Sequence, residues 1–93
     1  MKMINKYLIL EKLDGSFRQD IPIGSKEVQG YALDEPKVGY PFYLYTSLDD
    51  IKVGEAIIPK EDLITSWTSV VREIDLENSI IRTVNSTYKF EIR

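Results

Sequence analysis

Residues 64–92, ITSWTSVVREIDLENSIIRTVNSTYKFEI, are the most β-like part of the chain, and every other segment must be placed against them. Residues 64–74 are rich in β-branched and aromatic types, which suit a pleated, half-buried surface and lose side-chain freedom in a helix. Asp75, Leu76, Glu77 and Asn78 supply a turn, and residues 79–84 resume the strand composition, so the two runs form a hairpin. Asn85 and Ser86 make a second break. Residues 87–93 then alternate, with Tyr88, Phe90 and Ile92 on one face and Thr87, Lys89, Glu91 and Arg93 on the other. In the first run the parity of Trp67 disagrees with that of Ile64 and Ile74, and Val70 and Val71 are adjacent. The pattern calls for a bulge or sharp bend near residues 69–71, of the kind a small barrel needs where a strand turns a corner.

Upstream, KYLILEKL at residues 6–13 reads as a strand, followed by Asp14-Gly15, a strong signal for a tight hairpin turn. Residues 16–23 alternate as a second strand in which Pro22 donates no ladder hydrogen bond, so the strand lies at an edge or turns its proline amide position outward. Residues 24–39 are irregular, reading either as a short strand at 28–33 or as one long loop, with a turn at 35–39. The chain then enters YPFYLYT at 40–46, where Phe42 and Leu44 face inward and Tyr43 and Tyr45 outward. Residues 47–53 read as a polar excursion pinned by Leu48 and Ile51. Residues 54–59 form one more short strand, and Pro59 opens a single helical turn through Asp62. Short strands with turn signals every eight to twelve residues and no long 3.6-period segment predict an all-β fold, a small antiparallel barrel of about six strands with at most one helical turn.

With 93 residues, 43% of them hydrophobic, the chain makes one domain (residues 1–93) with a small core and no room for a deep enclosed site. It contains no cysteine and no histidine. Disulfides, thiolate nucleophiles, Ser-His and Cys-His dyads and histidine metal ligands are thereby excluded, together with the side chain best matched to proton transfer near neutral pH. The net charge of −3 and the scattered basic residues argue against tracking nucleic-acid phosphates. The N-terminal apolar run is too short for a signal peptide and nothing reaches transmembrane length, so a cytoplasmic protein is expected. Asn85-Ser86-Thr87 matches the glycosylation pattern, which carries no weight without a secretory signal.

Three carboxylate clusters, Asp49-Asp50, Glu61-Asp62 and Glu73-Asp75-Glu77, fall in turns and read as solvated groups rather than as a catalytic pair or a calcium loop. The hydroxyl run Thr65, Ser66, Thr68 and Ser69, joined by Thr83, Asn85, Ser86 and Thr87, can cradle a polar ligand or can be strand and turn chemistry. No serine has a base beside it. Tyr7, Phe17, Phe42, Tyr88 and Phe90 fit a core. Tyr40, Tyr43, Tyr45 and Trp67 fit an outer face, where such rings pack, stack a nucleobase or hold a protein.

The segments VGYPFYLY, ITSWTSVVREID and TVNSTYKFEI, within about the last 55 residues, resemble small uncharacterised barrel proteins of bacteria and their phages. The resemblance implies a fold. A phage origin further implies a host-directed inhibitor or a protein that sequesters a nucleotide signal in the host cytoplasm. Together these readings predict a non-enzymatic binding module without metal or cofactor. Tyr43, Tyr45, Thr65, Ser66, Trp67 and Asn85 are expected to hold a protein partner or a small, nucleotide-like ligand. The alternative is a homo-oligomeric accessory protein assembled through an edge strand, with neither nucleic acid nor membrane as partner.

Overall fold

The structure, a computed structural model, describes residues 2–15, 22–26 and 28–93. Among the described residues eight strands follow in order: β1 Tyr7–Gly15, β2 Val28–Tyr31, β3 Pro41–Tyr45, β4 Ile51–Val53, β5 Ala56–Ile58, β6 Ile64–Asp75, β7 Ile80–Thr83 and β8 Ser86–Ile92. Strands β1-β2-β3-β6-β7-β8 close into an all-antiparallel barrel, and β4 and β5 form a separate two-stranded sheet. The single helical turn is a 3-10 turn at Lys60–Asp62 preceded by Pro59 with φ −61°, an angle proline adopts without cost. The all-β barrel expected from the sequence is therefore the fold.

Alternation places the core. Leu8 and Leu10 of β1, Val28 of β2, Phe42 and Leu44 of β3, Val71 of β6, Ile81 of β7, and Tyr88 and Phe90 of β8 form one buried cluster. Met3, fully buried, joins it from the N-terminal segment. That segment is tied down by the Asn5 amide on the Ala32 carbonyl at 2.7 Å and by the Met3 and Ile4 amides, which both donate to the Glu35 carboxylate.

The parity breaks in β6 resolve into register shifts. Tyr43 pairs with Trp67 but Pro41 with Val70, so three residues of β6 oppose two of β3. Against β7, Val71 pairs with Thr83 and Glu73 with Arg82. A bulge leaves an extra residue unpaired and bends its strand, which lets one long strand serve both neighbours around a tight barrel. The bend expected near residues 69–71 is thus one of several.

Three expectations are corrected. Asp14-Gly15 is not a hairpin turn: β1 runs through it after a shift past Lys12, pairing Asp14 with Thr87 and Gly15 with Ser86. The local turn preference yields to a ladder partner that lies far away in the sequence. Residues 51–53, expected in a polar excursion, are strand β4, formed because Ile51, Lys52 and Val53 find Ile58, Ile57 and Ala56 across a turn at Gly54. Tyr7, expected in the core, is half-buried on the outer wall, where it packs edge-on against Tyr31 with ring centroids 5.0 Å apart. Phe17 and most of the strand expected at residues 16–23 lie outside the described residues. Pro22 is described and lies in a turn, its carbonyl accepting from the Ser25 amide at 3.0 Å.

Gly30 sits against β3 with no room for a side chain. Its φ is +151°, and a β-carbon there would stand 2.9 Å from the Tyr45 carbonyl oxygen and 3.0 Å from the Leu44 β-carbon. Backbone cannot yield as a flexible side chain can, so Gly30→Ala is expected to cost about 2 kcal/mol or more. In urea denaturation the midpoint should fall by roughly 1–2 M.

Candidate aromatic face and groove

The outer wall of β1, β2, β3 and β6 carries half of the ten aromatic rings in the protein. In the register, Tyr7 stands opposite Tyr31 and Tyr31 opposite Tyr45, a row of three tyrosines crossing three strands. One step along β3, Tyr43 stands opposite Trp67. Four of the six tyrosines and the single tryptophan lie on this wall, and Tyr40, just ahead of β3, is exposed near Tyr43 and Tyr45. Trp67 is 60% exposed, Tyr43 40% and Tyr40 64%, and Val70, opposite Pro41, extends the apolar surface. The arrangement follows from β3: Phe42 and Leu44 occupy the core, so pleating sends Pro41, Tyr43 and Tyr45 outward.

Beside these rings runs an open groove of about 410 Å³ between residues 34–37 and β3. It exists because β2 and β3 share the single register pair Tyr31↔Tyr45, after which the chain leaves the sheet. Glu35 is held on its wall by the Met3 and Ile4 amides. The Tyr45 hydroxyl is pushed above the usual phenol value, first by burial and then by the negative charges of Asp34, Tyr43 and Glu61.

Of the residues expected to bind, Tyr43, Tyr45 and Trp67 come together on the outer wall, with Thr65 exposed beside them. The Thr65 hydroxyl is bonded to that of Thr46 at 2.7 Å. Ser66 pairs with Leu44 on the core-facing parity of β6. Asn85 sits in the β7–β8 turn, its amide donating to Ser69 Oγ at 3.1 Å.

Thr68 and Thr83 of the hydroxyl run are engaged within the fold. Thr68 Oγ1 accepts from the Phe42 amide at 3.2 Å and donates to the Ser69 carbonyl at 2.7 Å. Thr83 Oγ1 accepts from the Ser86 amide and donates to the Ser86 carbonyl, closing the last turn. These bonds complete bulges and turns whose backbone groups would otherwise be buried without partners. In the β6–β7 turn, Asp75 accepts from the amide and side chain of Asn78, which holds its carboxyl below the usual range. Among the described residues no cluster of carboxylates is arranged to hold a metal ion, and no helix is long and apolar enough to cross a membrane.

Tyr7 and Tyr31 were missed as surface residues, since the pairing that aligns them with Tyr45 joins strands far apart in the sequence. Compared with known proteins, the chain matches no protein-family profile, no curated protein and no solved structure.

A raised folded-state phenol pKa means that the contribution of Tyr45 to stability is whole below the unfolded phenol value and is lost as pH rises through the folded one. Ultraviolet difference titration should show a component above the usual phenol range that disappears in Tyr45→Phe. In Asp34→Asn the same component should move to lower pH.

Proposed function

We propose that the protein is a non-enzymatic binding module that holds a protein partner on the outer aromatic face of its barrel. The observation that carries this reading is the exposed Tyr43–Trp67 pair standing next to the Tyr7–Tyr31–Tyr45 row on one wall. Apolar side chains are normally turned inward, and contiguous exposed rings of this kind mark interaction surfaces. Tyr and Trp present large, stiff contact area and lose little rotamer freedom when covered. The engagement of the hydroxyl run in turns and bulges moves the weight from a polar-ligand cradle to the rings. A host-directed inhibitor or sequestering protein, the role implied by the resemblance to phage barrels, would act through the same wall.

A second reading, assembly of identical subunits, is favoured by the β4–β5 hairpin. The hairpin stands outside the closed ring with two outer strand edges, and Val53 and Ile57 are 58% and 66% exposed.

Native mass spectrometry of protein isolated from its own host separates the two. The first reading expects a complex with one partner of discrete mass, lost in a folded Tyr43→Ala/Trp67→Ala double variant. The second expects a multimer of the chain itself, lost in Ile57→Lys. A bare monomer from the host, or a double variant that keeps its partner, contradicts the first reading.

A further inference from the structure

The backbone of β3 shows what kind of chain the groove can take. The Tyr40 carbonyl accepts from the Val71 amide at 2.9 Å and the Phe42 amide donates to Thr68 Oγ1 at 3.2 Å, so both residues turn their polar groups toward β6. By the alternation of a strand, Pro41 and Tyr43 turn theirs to the opposite edge, which faces the groove. That edge begins with a proline, which has no N–H to offer, and an incoming strand could not continue a full ladder along it. The groove instead offers ring faces and pyrrolidine surface: Tyr40, Tyr43 and Tyr45 with Pro36 and Pro41. Such a surface suits an extended polyproline-type segment, whose backbone needs no ladder partner and whose conformation is already set before binding.

The charges select the side chains of that segment. Asp34 lies exposed at the groove, and the Glu35 carboxylate on the groove wall accepts the Met3 and Ile4 amides. Lys37 is the one cation among the described residues lining the groove. The excess of carboxylates attracts a cationic partner and repels nucleic-acid or nucleotide phosphates. Arginine fits better than lysine, because its planar guanidinium also stacks on exposed rings.

We infer that the groove between residues 34–37 and β3 docks a proline-rich, arginine-bearing extended segment of a protein partner. This rests on the reading of the aromatic wall as the binding surface and adds the chemistry of what it binds.

Trp67, the single tryptophan, is exposed opposite Tyr43, which lines the groove, so its emission responds to changes at that neighbour. Its fluorescence would be followed during titration with a nine-residue Pro-Pro-Arg repeat, with Gly-Gly-Arg and Pro-Pro-Glu repeats of the same length, and with a thymidine homopolymer. The expected result is a saturable blue shift with Pro-Pro-Arg, with the other three probes at least about tenfold weaker. Tyr43→Ala should weaken Pro-Pro-Arg binding by a similar factor. Asp34→Asn, an exposed change that leaves the core untouched, should weaken it and flatten its salt dependence. Equal binding of Gly-Gly-Arg, tighter binding of the homopolymer, or no saturable response to Pro-Pro-Arg overturns the assignment. If a host partner is nevertheless lost in the Tyr43→Ala/Trp67→Ala variant, the wall stands as a binding surface and only the proline-arginine chemistry falls.

Discussion

The pairing of β1 with β8 is the constraint on which the rest of the structure depends. It joins the first strand to the last, from Leu8 opposite Ile92 to Gly15 opposite Ser86, and turns a six-stranded meander into a ring. Closure is what allows so short a chain to enclose a core: Leu8, Leu10, Tyr88 and Phe90 are buried from the two sides of this one seam. An open sheet of the same strands would expose that face, and its two edge strands would offer unpaired backbone to other chains. Met3, bound in through the Glu35 carboxylate, adds to the core from outside the ring.

Closure also decides how the molecule can recognise anything. Once most backbone groups of the ring are spent on one another, recognition falls to side chains on the outer wall and to the place where the ladder is shortest. That place is the β2–β3 junction, held by the Tyr31↔Tyr45 pair and squeezed by the approach of Gly30 to Tyr45. The groove opens there, beside the rings. The same tightness that requires a glycine on the inside brings three tyrosines into one row on the outside. Stability and binding surface are thus two consequences of the same crossing of strands.

The hairpin β4–β5 sits differently. It is inserted between β3 and β6, and its base is stitched by the Thr46 amide on the Leu63 carbonyl at 2.8 Å and the Lys60 amide on Asp50 at 2.9 Å. It contributes nothing to the buried cluster, so changes there leave the ring intact.

Most of the barrel was legible in the sequence because inward and outward residues alternate so plainly in 41–45 and 86–92. The long strand β6 was legible as a strand but not in its register. Its bulges answer to two different neighbours, and no local pattern encodes both. Asp14-Gly15 misled for the same reason, since its ladder partners Thr87 and Ser86 lie at the other end of the chain. At the candidate site, Tyr43 and Tyr45 could be read from parity, while Trp67, in a strand of broken parity, stood out only as a ring fit for an outer face. The half-exposed Tyr7 and Tyr31 could not, because only the pairing of distant strands shows that they extend the same row. The hydroxyl-rich residues looked like a site because serine and threonine bond a ligand and a bulge equally well.

Native-state amide hydrogen exchange tests the closure directly, because it reads the opening free energy of each strand separately. If the β1–β8 seam holds the molecule together, its amides exchange only through global unfolding, while those of the β4–β5 hairpin open at much lower free energy. Seam amides that exchange as fast as those of the hairpin would contradict a closed ring, and with it the account of why the rings stand where they do.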